Sequence, residues 1–257
     1  MNVSMVAAAV SSGLFVGMLL CLEGGYRLGH RHSRMDSKPH EGIGAIEAAI
    51  FALLGLLLGF AFAGATARFD ARRQLIVQEA NAIGTAYLLL DVTPASEQLD
   101  LRRLFRDYLE ARLRVYGDLR ELDVAKKQIT RAAGVQQKIW ERAVVASRLD
   151  PTQNTTRLVL PAITAMMDVT TARTVALQTR LPALVLCLLV VMALLSALLA
   201  GYAMAKRHIR SLLHIVLCAA SVSITVYAVL DLDDPRSGLI RLDAAERVLG
   251  QLHDSIH

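Results

Sequence analysis

The stretch GLLLGFAFAGATARFDARRQ, residues 55–74, places Gly55, Gly59, Ala63 and Ala67 four residues apart in an otherwise oily run. It then turns basic within one residue. Small residues at this spacing line up on one side of a helix and let another backbone approach closely, the device by which helices associate inside a bilayer. The abrupt change to arginine marks where hydrocarbon gives way to water.

Working outward, residues 3–22, 48–67, 183–204 and 211–230 each run about 20 residues without an acidic, lysine or arginine side chain, and at a rise of about 1.5 Å per residue each crosses a hydrocarbon core of roughly 30 Å. The spacing predicts four transmembrane helices. The first run has no basic leader and is followed by EGGYRLGHRHSR rather than a small-residue cleavage site, so it is expected to be a retained span. The chain is 54% hydrophobic with only 5% aromatics, yet it carries 28 basic and 23 acidic residues, which must sit in the water-facing parts. The net charge of +5 is carried beside apolar segments, where anionic lipid headgroups explain it and nucleic acid does not. Cys21, Cys187 and Cys218 all lie within apolar runs, with no disulfide framework and no zinc spacing.

Residues 68–182 are polar with helical periodicity and no strand-like alternation. The second span is expected to continue unbroken from Arg68 to Leu90, until Asp91-Val92-Thr93-Pro94 stops it. Leu99, Leu101, Leu104, Tyr108, Leu109, Leu113 and Tyr116 form the apolar stripe of an amphipathic helix. Further helices are expected over residues 124–147 and from Leu160 to the Leu181-Pro182 pair. The fold class is thus all-α, a polytopic membrane protein with a helical extramembrane domain. Residues 1–67 form the first transmembrane pair with its basic loop, 68–182 the helical domain, 183–230 the second pair, and 231–257 an acidic turn and amphipathic tail.

Seven basic residues fall in the short loops at 23–42 and 205–210, and eight lie beside the membrane on the other face. Short loops weigh more in setting topology, so the positive-inside rule leans toward an extracytoplasmic helical domain.

The run GAIEAAIFALLGLLLGFAFAGATARFDARRQLIVQEANAIGTAY, with DLDDPRSGLIRLDAAERVLGQL after the last span, resembles the bacterial bestrophin-like domain family, and the order of two spans, helical region, two spans and tail matches along nearly the whole chain. The resemblance implies a distant relation to the bestrophins, pentameric ion channels with four spans per subunit, a pore lined by the second span and cytosolic helices. It implies a homo-oligomer in the bacterial inner membrane, with ions as partners, and a helical domain on the cytosolic side, opposite to the charge rule. The aromatic and asparagine-proline neck of animal bestrophins and their calcium-binding acidic cluster have no counterpart here. Selectivity and gating are therefore not implied.

On a helical wheel, Glu47, Leu54, Leu58, Ala65 and Arg72 fall within about 20° of one line, a candidate pore lining with a carboxylate at one mouth and an arginine at the other. Gly55, Gly59, Ala63 and Ala67 form the packing ridge, and Asn81, among small residues further along, is a candidate for fixing helix register. Asp231, Asp233 and Asp234 make a candidate acidic mouth. His214, and the group His30, His32, Asp36 and His40, are weaker candidates for a proton relay and a metal site. The lysine and arginines among that histidine group oppose a cation, so no metal or cofactor is expected. No catalytic triad or phosphate-binding loop is present, which argues against an enzyme. Two functional classes remain: an oligomeric ion channel, and a membrane-anchored helical sensor or scaffold that does not conduct.

Overall fold

The computed structural model describes residues 3–33, 43–117, 122–206, 212–233 and 243–256, and among these it is helical nearly throughout, with no strand. Among the described residues eight α-helices follow one another: α1 (Val3–Ser33), α2 (Ile43–Leu88), α3 (Ala95–Gly117), α4 (Leu122–Leu149), α5 (Leu160–Gln178), α6 (Ala183–Lys206), α7 (Leu212–Asp233) and α8 (Asp243–Ser255). Among the described residues four stretches are long and apolar enough to span a bilayer: one within α1, one that starts in α2 and runs on to Val92, one that ends in α6 and one within α7. The chain divides into two compact units, residues 1–69 with 180–240, and residues 70–179 with 241–257.

The first unit holds the spans. Its largest apolar side chains point mostly outward, as Leu20, Phe60, Leu184 and Ile224 do. That is the pattern of a surface bathed in hydrocarbon rather than water. The helix α1 runs past the expected end of its span to Ser33, straight through the glycines at 24, 25 and 29. Glycine in mid-helix is ordinarily unfavourable, but packing overrides propensity at this site. A Cβ on Gly25 would lie 1.9 Å from the carbonyl oxygen of Leu198, and one on Gly201 would lie 2.0 Å from that of Leu22. Gly29 meets Ala205 and the Tyr202 carbonyl in the same way. The helices α1 and α6 therefore run with their backbones nearly touching, and only glycine fits at the crossing. Around them, Leu14, Met18, Leu22, Leu54, Ala193, Ala197, Ala219 and Val226 form one apolar cluster, and Ala61, Ala65, Leu189, Val229 and Leu232 a second.

The second unit is an amphipathic bundle. Ile76, Ile83 and Leu90 from the α2 end, Leu101, Phe105, Tyr108 and Leu109 from α3, Ile139 from α4, Ile163 and Met166 from α5 and Leu249 from α8 are fully covered. The turn between α4 and α5 is built by Asp150. One of its oxygens accepts from the Thr152 amide (2.9 Å) and hydroxyl (2.6 Å), and the other from the Thr155 amide (2.6 Å). These bonds, the Thr152 hydroxyl first, hold the Asp150 carboxyl below the usual aspartate range. Gln153 adopts φ 57° to close the turn, and one wider π-helical turn, Thr155–Val159, leads into Pro161 near the start of α5. The chain then becomes extended at Thr179, ahead of Pro182.

Candidate functional site

The helix α2 has two faces that the packing of the first unit separates cleanly. Leu54 and Ala65 are buried within that unit, Leu58 is half-buried against its cores, and Glu47 is half-buried at the start of the helix. These are four of the five residues on the candidate pore line, so that line is the edge the subunit covers with its own helices. The fifth, Arg72, belongs to the second unit. It is 3% exposed, its Nε donates to the Ala176 carbonyl at 3.0 Å, and its Nη2 donates to the Thr179 carbonyl at 2.5 Å. Arg72 thus closes orphan carbonyls at the end of α5.

The opposite edge carries Gly55, Gly59, Ala63 and Ala67, all exposed. A Cβ on Gly55 or on Gly59 would meet nothing within 4 Å. At its two glycines the small-residue ridge therefore meets nothing among the described residues, and its two alanines are exposed. Asn81, further along α2, is exposed too and does not fix register inside the second unit.

Asp231 and Asp233 are buried rather than lining an open mouth, and Asp234 lies outside the described residues. Asp233 accepts from Arg68 Nε at 2.7 Å and from the Leu181 amide at 2.6 Å, which pins together α2, the chain entering α6 and the end of α7. His214 is exposed near the start of α7. His30 stacks on Tyr26 within α1, with ring centroids 6.3 Å apart. Asp36 and His40 lie outside the described residues, as does the side chain of His32. Among the described residues no three His, Cys, Asp or Glu side chains cluster closely enough to hold a metal ion.

The second unit contains a polar centre that the sequence analysis did not single out. Glu79 is fully buried, and it pairs with Arg112, whose Nε lies 2.6 Å and Nη2 2.5 Å from Oε1, and with Arg173 through Oε2. Both arginines are themselves almost wholly covered. Beside them, Tyr108 shares a 3.0 Å hydrogen bond with Thr170. The Thr170 hydroxyl donates to the Met166 carbonyl, so Tyr108 is the donor. Burial pushes the Tyr108 phenol above its usual range. The signal was present in register. Glu79 follows Ile76 by three residues and precedes Ile83 by four, so a helical stripe that buries those isoleucines must bury the carboxylate as well.

This arrangement of four spans and a helical bundle has known counterparts. Two solved structures share the fold along almost their whole length. One is a crystal structure described as a membrane protein with a single proline-to-alanine substitution, at 15% identity and TM-score 0.64, covering 95% of this chain and 98% of that one. The other is a bacterial bestrophin homologue from Klebsiella pneumoniae with a single tryptophan-to-alanine substitution, at 16% identity and TM-score 0.63, covering 94% and 96%. No curated protein matches. The sequence model of the bestrophin-like domain matches residues 13–246. The protein is therefore a helical membrane protein, and it belongs to the bestrophin-like family.

Proposed function

We propose that this protein is an oligomeric ion channel of the bacterial inner membrane, with copies of α2 gathered around a common axis. The observation that carries the reading is the bare edge of α2. Among the described residues, Gly55, Gly59, Ala63 and Ala67 follow one another along a membrane helix as exposed positions, and a Cβ on Gly55 or Gly59 would meet nothing within 4 Å. A side chain that its own subunit covers cannot line a passage shared between subunits. The reading therefore moves the pore-facing surface from the Leu54, Leu58 and Ala65 edge to the glycine edge. Small residues there permit either close helix approach or an open lumen of backbone and short side chains. By the bestrophin relation, the number of subunits in this reading is five.

On orientation, kinship outweighs charge. The basic residues near the membrane differ by one between the two sides, which is too even a count to set topology by itself. The reading places the helical unit in the cytoplasm, the reverse of what the short loops alone favour. A fusion of alkaline phosphatase after Leu122 is then inactive, while a fluorescent protein that matures only in the cytoplasm is bright at the same position. The opposite pair of readouts returns the domain to the outside.

Conduction is tested by reconstituting the full chain in planar bilayers under gradients of monovalent cations and anions, over a range of pH and tension. Unitary currents that vanish when Gly59 is replaced by Leu support the reading. Silence under every condition replaces it with the non-conducting scaffold.

A further inference from the structure

Asn81 stands in a run that differs from the rest of the second unit's surface. From residue 74 to residue 88 the exposed positions of α2 are Gln74, Val77, Gln78, Asn81, Thr85 and Leu88, and none is charged. The exposed faces of α3 and α4 in the same unit carry Asp100, Arg103, Lys138 and Glu141. A helix face turned to bulk water ordinarily mixes charged residues among the polar ones, as α3 and α4 do. Four of the α2 residues, Gln74, Gln78, Asn81 and Thr85, follow one another at spacings of four, three and four, which puts them within about 60° of arc at roughly 100° per residue. The side of the same segment that carries Ile76, Glu79 and Ile83 is buried.

That spacing is the seam along which neighbouring helices interlock when it is apolar. Here it holds two glutamines, an asparagine and a threonine. Drying them against another helix costs the hydration of every amide and hydroxyl with little apolar burial in return, so the stripe suits a wall that stays wet. A carboxamide offers a carbonyl oxygen to cations and N–H groups to anions, and a threonine hydroxyl serves both. Counted along the single helix α2, Ala63 and Ala67 of the proposed pore edge fall in the same arc as the stripe.

We infer that Gln74, Gln78, Asn81 and Thr85 line the ion passage outside the membrane, one stripe from each copy, as a neutral wall that solvates ions of either sign and selects neither. The inference rests on the channel reading above. A charge added to this wall becomes a ring of like charges around the passage, whereas a charge added to α4 does not.

The test measures reversal potentials of the full chain in planar bilayers under a gradient of potassium chloride. Asn81→Asp should raise the permeability of potassium relative to chloride about tenfold over the wild type, the lower end of the enrichment that one-signed charge gives in a cleft. Asn81→Lys should lower it by a similar factor. Ala133→Asp, at an exposed position on α4, should leave it unchanged. Asn81→Cys adds the charge after assembly instead, so that a variant that fails to assemble does not decide the matter. Its thiolate displaces methanesulfinate from a sulfonatoethyl or a trimethylammonioethyl methanethiosulfonate, which leaves a negative or a positive group on the sulfur through a disulfide. The two reagents should move the reversal potential in opposite directions. The wild type, whose Cys21, Cys187 and Cys218 lie in spanning stretches, is the control. An Asn81→Cys thiol that reacts, as mass measurement shows, without moving the reversal potential puts the stripe on the outer, bulk-water surface. One that resists both reagents and joins two subunits on oxidation puts it in a contact between copies. Either result overturns the inference and leaves the channel reading standing, as does a shift in Ala133→Asp as large as that in Asn81→Asp. Silence of the wild type overturns the channel reading, and this inference with it.

Discussion

Gly25 and Gly29 on α1 have the same four-residue spacing as Gly55 and Gly59 on α2, and both pairs belong to helices that span the bilayer. Their surroundings differ completely. The first pair is filled, with the α6 backbone within van der Waals overlap of any added Cβ, while the second pair faces open space. Identical spacing therefore supports two functions. In the filled ridge, glycine sets the internal architecture of the subunit. In the empty one, the same residues remain as a surface. Without a water-driven hydrophobic effect between spans, a bare ridge of this kind has no internal packing reason to be kept small. The contrast is what supports an external partner for α2.

The filled ridge should be among the most sensitive positions in the molecule. Gly201→Leu would place a Cβ against the Leu22 carbonyl, which is backbone and cannot swing aside. Overpacking a core typically costs about 1–3 kcal/mol, and a backbone clash lies at or above the upper end of that range. This variant should yield little folded protein, read as loss of the monodisperse peak in detergent. A normal yield with an unchanged melting temperature would remove the contrast between the two ridges.

Of comparable size is the effect at the centre where burial is met by charge rather than by small residues. Replacing Glu79 with Ala leaves Arg112 and Arg173 covered without their shared carboxylate, and breaking a buried pair in this way costs about 3–5 kcal/mol. A lowered thermal midpoint of the full chain is expected, with partial recovery in Glu79→Asp. If Glu79→Ala melts as the wild type does, the triad is not what holds α2, α3 and α5 together.

How much of this was legible in the sequence depends on whether the cause is local. The four spans were readable because their signal is hydropathy summed over some twenty residues, and the course of α2 through Arg68 because no helix breaker intervenes. The Gly25–Gly201 crossing was not. Gly24, Gly25 and Gly29 look like loop residues until α6, more than 150 residues later in the chain, is known to lie against them. Helical spacing found the two faces of α2, but spacing alone cannot tell which face its own subunit covers. Glu79 shows the converse, since its burial was implied by register with Ile76 and Ile83, whereas its partners come from two other helices.

A smaller effect is expected where charge caps a turn instead of filling a core. The Asp150 carboxyl is held below its unfolded value, chiefly by the Thr152 hydroxyl and the Thr155 amide. A depressed carboxylate contributes stability that is fully present above the unfolded value, near pH 4, and is lost as pH falls through the lower folded value. The wild type should therefore exceed Asp150→Asn in melting temperature at neutral pH, and the gap should shrink as the pH is taken progressively below about 4. A gap that stays constant down to the acid limit would assign the turn to geometry rather than to the carboxylate's charge.

The smallest effect on the subunit itself, and the sharpest test of the comparison, comes from the empty ridge. Gly59→Leu puts a large side chain where a Cβ meets nothing within 4 Å, so the fold of the single chain should change little, within about 0.5 kcal/mol as for other surface substitutions. Glycine also lowers intrinsic helix stability, so the replacement favours α2 locally. Assembly should respond in the opposite direction, because a leucine at that point holds neighbouring backbones apart and lipid offers no compensating drive. Native mass measurement in detergent is expected to show a smaller or dispersed species for Gly59→Leu, at an unchanged subunit melting temperature. Gly13 on α1 supplies the control, being a glycine on a spanning helix that likewise has open space at its Cβ but does not share the four-residue ridge of α2. If Gly59→Leu and Gly13→Leu both leave the assembly intact, the bare edge of α2 faces lipid, and the difference between the two glycine pairs then says nothing about partners.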